Sequence, residues 1–270
     1  MDKWVNFPSF AITSGVLWLI GLAFISIGYF RKEKSKLHRT GILLSLLGLV
    51  IFVSFIVLLW VNLERPPMRT FGETRLWSTL FLVAAGLIVY LRWKFILVYG
   101  YSLLLGFVFL IINLINPEIH DKALMPALQS PWFVPHVIVY MLAYALLGLS
   151  CGVGIYGLIV LRTPQYNEKI IILGDNMVYL GFALLTCGLL FGALWAKEAW
   201  GHYWTWDPKE TWAFLTWLAY LVYLHYRNYH PSKIKTHLWI LSVSFIVLLI
   251  CWFGINYLPS AQNSVHVYSN

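Results

Sequence analysis

Hydrophobic residues make up 60% of the 270-residue chain and charged residues only 11%, where a soluble domain carries about 25% charged residues. That balance excludes a soluble enzyme and points to an all-α polytopic membrane protein. The net charge of +8 calls for no nucleic-acid partner, because topology accounts for its distribution along the chain.

Apolar runs of about the twenty residues needed to cross a bilayer occupy 8–30, 41–62, 76–92, 95–116, 134–161, 171–194, 209–226 and 238–257. The sequence therefore predicts eight transmembrane helices. The first lacks a basic segment before it and is followed by the cluster Arg31–Arg39, so it reads as a retained span and not a cleaved signal. The connections 31–39, 92–94, 162–170 and 227–237 together hold 12 of the 19 Lys and Arg residues. By the positive-inside rule that side is cytoplasmic, and both termini are extracytoplasmic. The remaining seven, Lys3, Arg65, Arg69, Arg75, Lys122, Lys197 and Lys209, share the outer side with most of the acids. Loops 63–75 and 117–133 are the longest polar connections before residue 200, and neither has room for a catalytic domain. Any chemistry sits in the bundle or at its outer rim.

One outer connection stands apart. Trp200, Gly201, Trp204, Trp206 and Asp207 spell W-G-x-x-W-x-W-D, a spacing that chance rarely produces even in a chain with 14 Trp residues. Tryptophan favours membrane interfaces, and an interfacial belt is the alternative reading, but a belt does not require fixed spacing. A set of such rings makes an apolar floor for a flat, hydrophobic ligand. Asp207-Pro208-Lys209-Glu210 reads as a capping box with Pro at the first helical position. That start fixes the end of the loop, and a preorganised shelf holds a planar ligand better than a floppy one.

Two histidines, His136 at the outer start of the fifth helix and His266 in the outer tail, flank this loop in the topology. Neutral imidazole is a common ligand of haem iron, and one from each face gives a six-coordinate site; an ordinary interfacial histidine is the alternative for each. His225 lies near the inner end of the seventh helix with Val222, Leu221, Leu218 and Trp217 behind it, and an ionisable group inside the membrane is a functional candidate. Snorkelling beside Arg227 is its alternative. Eighteen residues separate Asp207 from His225, about 27 Å of helix. His38, His230 and His237 fall in basic inner loops and read as solvated. Cys151, Cys187 and Cys251 are isolated within predicted helices, with no C-x-x-C, so the chain is neither a thiol reductant nor a c-type cytochrome.

The Trp200–Asp207 stretch resembles the tryptophan-rich WWD signature of the haem-handling proteins. Within that superfamily the chain is similar to the CcsA (ResC) family of cytochrome c assembly membrane proteins. The likeness extends over Trp195–Gly201 and Trp206–Trp212, over Arg65–Arg75, over Leu128-Gln129-Ser130-x-Trp132 and over Gly254–Leu258, roughly residues 63–268. The resemblance implies an N-terminal two-helix membrane segment, 1–62, and a haem-handling domain, 63–270. It implies that His136 and His266 are the outer axial ligands of haem b, that Trp200, Gly201, Trp204, Trp206 and Asp207 form the shelf, and that His225 is one of two transmembrane histidines. The other would come from a CcsB (ResB)-type partner. The tail Ala261–Val265 before His266 is longer than the family's usual gap.

The expected function is delivery and presentation of haem for covalent attachment to apocytochrome c on the outer side. This would make the chain a subunit of a haem lyase complex in a bacterial cytoplasmic membrane or in a thylakoid membrane, with a separate thiol-reducing partner accommodated. Arg65, Arg69, Arg75, Lys197 and Lys209 are outer cations suited to propionates. The rivals are a haem exporter with no ligation role and a b-type electron carrier or quinol oxidoreductase. The carrier would need paired intramembrane histidines, and only His225 reads as intramembrane. The related CcmC family has six helices against the eight here.

Overall fold

The computed structural model describes residues 6–30, 36–116 and 126–257. Eight α-helices follow in chain order: α1 (Phe7–Phe30), α2 (Lys36–Leu63), α3 (Phe71–Trp93), α4 (Ile96–Ile115), α5 (Phe133–Val160), α6 (Lys169–Trp200), α7 (Pro208–Tyr229) and α8 (Ile234–Trp252). The described residues contain no strand. This is what a bilayer demands, since a helix satisfies its own backbone donors and acceptors without water. Seven of the eight are long and apolar enough to cross a membrane. The exception is α7, whose 22 residues are rich in Trp and Tyr and include Lys209, Glu210, His225 and Arg227. The chain is an integral membrane protein.

It divides into two compact units, Met1–Ala123 and Leu124–Asn270. In the first, α1 pairs with α2 and α3 with α4, and the two pairs meet through α1–α4 and α2–α3 contacts. Trp18, fully buried, packs edge-on against Phe52 with 5.5 Å between ring centroids. In the second unit α5, α6, α7 and α8 form a ring in which each helix touches the next and α8 returns to α5.

Helix ends differ from the expected spans where polar residues reach further than hydropathy suggests. The third helix begins at Phe71, not 76, because Thr70 and Glu73 form a capping box: Thr70 Oγ1 accepts from Glu73 N at 3.1 Å, and Glu73 Oε2 accepts from Thr70 N at 3.4 Å. Glu73 is fully buried. It also accepts from Arg69 N at 2.7 Å and from Arg65 Nη1 and Nη2 at 3.0 and 2.9 Å. Trp77 Nε1 donates to the Pro67 carbonyl at 2.8 Å. The Arg65–Arg75 stretch is thus knotted around one carboxylate. Burial and the neighbouring Arg65 pull the Arg69 guanidinium below its ordinary range, with Glu73 pulling the other way. The sixth helix runs through Lys197 and Glu198 to Trp200, so the first motif tryptophan is helical. The eighth stops at Trp252 and gives way to a single 3₁₀ turn, Gly254–Tyr257, where the sequence predicted helix to 257.

Removing one partner of a buried ion pair leaves an uncompensated charge, a loss of roughly 3 kcal/mol, whereas a lost N-cap costs about 1 kcal/mol. Glu73→Ala is therefore expected to lower the melting temperature in detergent well below that of Thr70→Ala. Equal melting temperatures would mean that Glu73 acts only as a cap.

Candidate functional site

The W-G-x-x-W-x-W-D stretch is the short connection between α6 and α7, fixed at both ends. Gly201 ends α6 in the left-handed conformation, φ +86°, with its N–H on the Lys197 carbonyl at 3.0 Å. Only glycine adopts that backbone at little cost. Lys197 Nζ returns to the Gly201 carbonyl at 2.8 Å, a cation on the helix's negative end. At the other end the expected capping box is present. Asp207 Oδ1 accepts from Lys209 N at 2.9 Å, and Glu210 Oε2 accepts from Asp207 N at 3.1 Å. Glu210 takes Thr205 N as well, at 2.8 Å, so one carboxylate gathers the end of the loop.

Between these anchors Trp206 is left-handed at φ +59° and 63% exposed. A bulky residue in that region is strained, and such strain collects at functional sites. Its ring lies edge-on to Trp204 at 5.6 Å and to Phe214 at 5.9 Å. Phe214 stacks on Trp217 at 6.0 Å, and Trp217 on Phe182 at 5.2 Å. Trp204 is half-buried, and its indole N–H is buried without a hydrogen-bond partner. Leaving such a donor unmet costs about 1–3 kcal/mol, and a guest carboxylate would satisfy it.

His136 stands on the first turn of α5, half-buried, against α6. Its Nδ1 lies 2.8 Å from the Gly188 carbonyl. A carbonyl only accepts, so Nδ1 carries the proton and the lone pair of the neutral ring is on Nε2, the arrangement found in metal-ligating histidines. The imidazole fits a notch in α6: a Cβ on Gly192 would come within 2.8 Å of its Cε1, and one on Gly188 within 3.0 Å of the Tyr140 ring. Tyr140 lies edge-on to the imidazole at 4.6 Å, and Trp195 lies 5.5 Å away. Trp195 is 5.0 Å from Trp200 and donates its indole N–H to the Ala127 carbonyl at 2.7 Å. Ser130 donates to Glu198 Oε2 at 2.5 Å, which ties the segment before α5 to the end of α6. His136 and Trp200 therefore share one aromatic cluster through Trp195, and Trp204 packs against Trp206.

Sequence reasoning missed Tyr140, Gly188, Gly192 and Trp195 as parts of this site. The available signal was Gly188-x-x-x-Gly192, the small-residue spacing that lets membrane helices approach closely. His266 lies outside the described residues.

The histidines His38, His225 and His237 are arranged otherwise than expected. His225 is exposed on the surface of α7, with its Nδ1 2.9 Å from the Leu221 carbonyl, so it faces away from the interior of its unit. His237, expected to be solvated in a basic loop, lies in the first turn of α8 and is fully buried, with neither ring nitrogen in a hydrogen bond. It packs edge-on against Tyr226 at 5.4 Å. The basic residues Lys233 and Lys235 masked it in the sequence. His38 likewise belongs to α2 and shares a 2.7 Å hydrogen bond with Tyr90 Oη, while His230 remains exposed and stacks on Tyr226 at 4.6 Å. His225 is thus not alone within the helices. Asp175 on α6, overlooked in the sequence, is buried and accepts from Tyr223 and Arg227 of α7.

The all-helical fold has a counterpart among solved structures. The fold matches that of a protein described as cytochrome c heme lyase CcmF with a TM-score of 0.69, over 97% of this chain and 49% of that one, at 16% identity. The chain belongs to the cytochrome c assembly protein family, whose profile matches residues 9–261. Its relatives include proteins named cytochrome c biogenesis protein CcsA. The one from Guillardia theta is 28% identical over 96% of this chain and 97% of its own length. Those from Solanum bulbocastanum and Chlamydomonas reinhardtii are 35% and 42% identical over 54% and 52% of this chain. The alignments cover 59% and 42% of the lengths of those two relatives.

Gly201→Ala puts a Cβ on a left-handed residue and is expected to lower stability by about 1 kcal/mol. Gly100→Ala on α4, where a Cβ meets nothing within 4 Å, is expected to raise it by a few tenths. Thermal unfolding of both variants in detergent tests the opposite signs.

Proposed function

We propose that this chain presents haem b on the outer side of its membrane for covalent attachment to apocytochrome c, working with a CcsB/ResB-type partner. The membrane is the bacterial cytoplasmic membrane or, equivalently placed, the thylakoid membrane. Residues 63–270 carry the activity, and 1–62 serve as a two-helix membrane segment. The observation that carries this reading is His136. Its imidazole is held by a main-chain acceptor in the tautomer that offers Nε2, in contact with the Trp195–Trp200 cluster.

The donor set fits the cargo. Imidazole is a common axial ligand of haem iron, the rings of Trp200, Trp204 and Trp206 offer apolar surface to a flat macrocycle, and the Trp204 N–H suits a propionate. Haem supplies the reactive vinyl groups and the client supplies the thiols that add to them. The chain's own residues hold and orient: His136 from one axial side, His266 from the other, and the loop between its caps as a rigid shelf. Glu210 and Asp207 act on that rigidity through helix α7. At the inner end His225 receives haem together with a histidine of the partner, which accords with its position on the exposed face of α7.

His136→Ala is expected to lower haem per protein and cytochrome c maturation, and added imidazole to restore part of both. Gly192→Ala, which drives the ring from its notch, is expected to act in the same direction while Gly100→Ala does not. Wild-type haem content in His136→Ala would remove this ligand from the account.

Reporter fusions test the topology. Fusions at Lys34, Gln165 and Ser232 are expected to report cytoplasm, and fusions at Glu64, Lys122 and the C-terminus to report the outside. A cytoplasmic C-terminus would separate His266 from His136 and end the two-ligand arrangement.

A further inference from the structure

Asp175 lies in the second turn of α6 and is buried to 9% exposure. Its carboxylate takes two residues of α7 that stand one turn apart. Tyr223, fully buried, donates its hydroxyl to Oδ1 at 2.6 Å. Arg227 donates Nε to Oδ2 at 3.1 Å and to Oδ1 at 3.3 Å. The Arg227 Nη1 continues to the Pro231 carbonyl at 3.1 Å, so the same pair ties down the turn into α8. Charge-assisted bonds of this kind are the strong ones.

Residues four apart share a helix face, and a residue midway between them lies on the opposite one. His225 is midway between Tyr223 and Arg227. The contact that turns those two residues inward against α6 therefore turns His225 outward, where it is found exposed. The ring direction is then completed by the Nδ1 bond to the Leu221 carbonyl, which leaves Nε2 free of the helix. Farther out along the same interface Trp217 Nε1 donates to Thr186 Oγ1 at 2.9 Å. A rotation of the inner half of α7 by about 20° would carry a side-chain tip well off the helix axis by roughly 2 Å, enough to break a metal–nitrogen bond.

We propose that Asp175 is a positioning residue for haem at the inner end: by holding Tyr223 and Arg227 it sets the rotation of α7 and so the direction in which His225 offers its nitrogen. The inference rests on the reading of His225 as a haem ligand, and the test separates the two. Asp175→Asn, His225→Ala and the exchange Asp175→Arg with Arg227→Asp are purified as complexes with the partner. Haem per complex and the absorption spectrum are measured with and without added imidazole.

Asp175→Asn is expected to weaken haem binding by roughly 10–100-fold, as loss of a group that orients a ligand does. Imidazole is expected to recover it as in His225→Ala, and the exchange variant to hold more haem than Asp175→Asn. If His225→Ala loses haem while Asp175→Asn keeps the wild-type amount and spectrum, the positioning role is wrong and the ligand reading stands. If His225→Ala keeps wild-type haem, the ligand reading itself falls and the inference goes with it. A drop in protein level with unchanged haem per complex also overturns the proposal, since that is the mark of a fold-only role. Should Asp175→Asn fail to accumulate, Tyr223→Phe, which removes one oxygen atom, is read by the same spectrum and imidazole response.

Discussion

The turns before α3 and α7 each hang on one glutamate at the third position of the helix that follows. Glu210 gathers the amides of Thr205 and Asp207, and Glu73 gathers those of Arg69 and Thr70 together with the Arg65 guanidinium. The constraint behind both is the bilayer. Backbone outside a helix has to find its hydrogen-bond partners within the protein or at the rim, and a carboxylate with two oxygens can serve several donors at once while sitting at the positive end of a helix. A loop so held can carry an exposed, left-handed tryptophan such as Trp206, because its neighbours do not yield to relieve the strain.

The second determinant is the absence of side chain. His136 occupies its position because α6 has no Cβ at Gly192 and none at Gly188, where Tyr140 packs. The imidazole can then approach the helix closely enough to bond a main-chain carbonyl. That bond does two things: it fixes the ring and it decides the tautomer. Trp195 and Tyr140 close around the remaining faces, so a candidate ligand is held by packing on a rigid element and not by a flexible loop.

The end of α7 that turns into α8 obeys a different logic. There the polar groups are Asp175, Tyr223, Arg227 and His237, and all but His237 are joined in one network. A buried carboxylate that binds two side chains on one helix face acts on whatever stands on the opposite face. His225 therefore belongs to the surface of its unit. With Lys209, Glu210, His225 and Arg227 on it, α7 is less apolar than the seven described helices that are long and apolar enough to cross a membrane.

Much of this was legible in the sequence. The number of helices, the box at Asp207–Glu210, the fixed tryptophan spacing and the family all follow from periodicity, length and local chemistry, which are properties of a short stretch of chain. The box at Thr70–Glu73 and the Gly188–Gly192 pair are equally local in the sequence. What the sequence could not determine was direction. Which face a helix turns to its neighbours is set by packing, so nothing in the chain order distinguished a histidine that is buried, His237, from one that is exposed, His225. The pairing of Asp175 with residues some fifty positions later likewise exists only once α6 and α7 lie side by side. The sequence determined which groups are available; the packing of the helices decided which way each one faces.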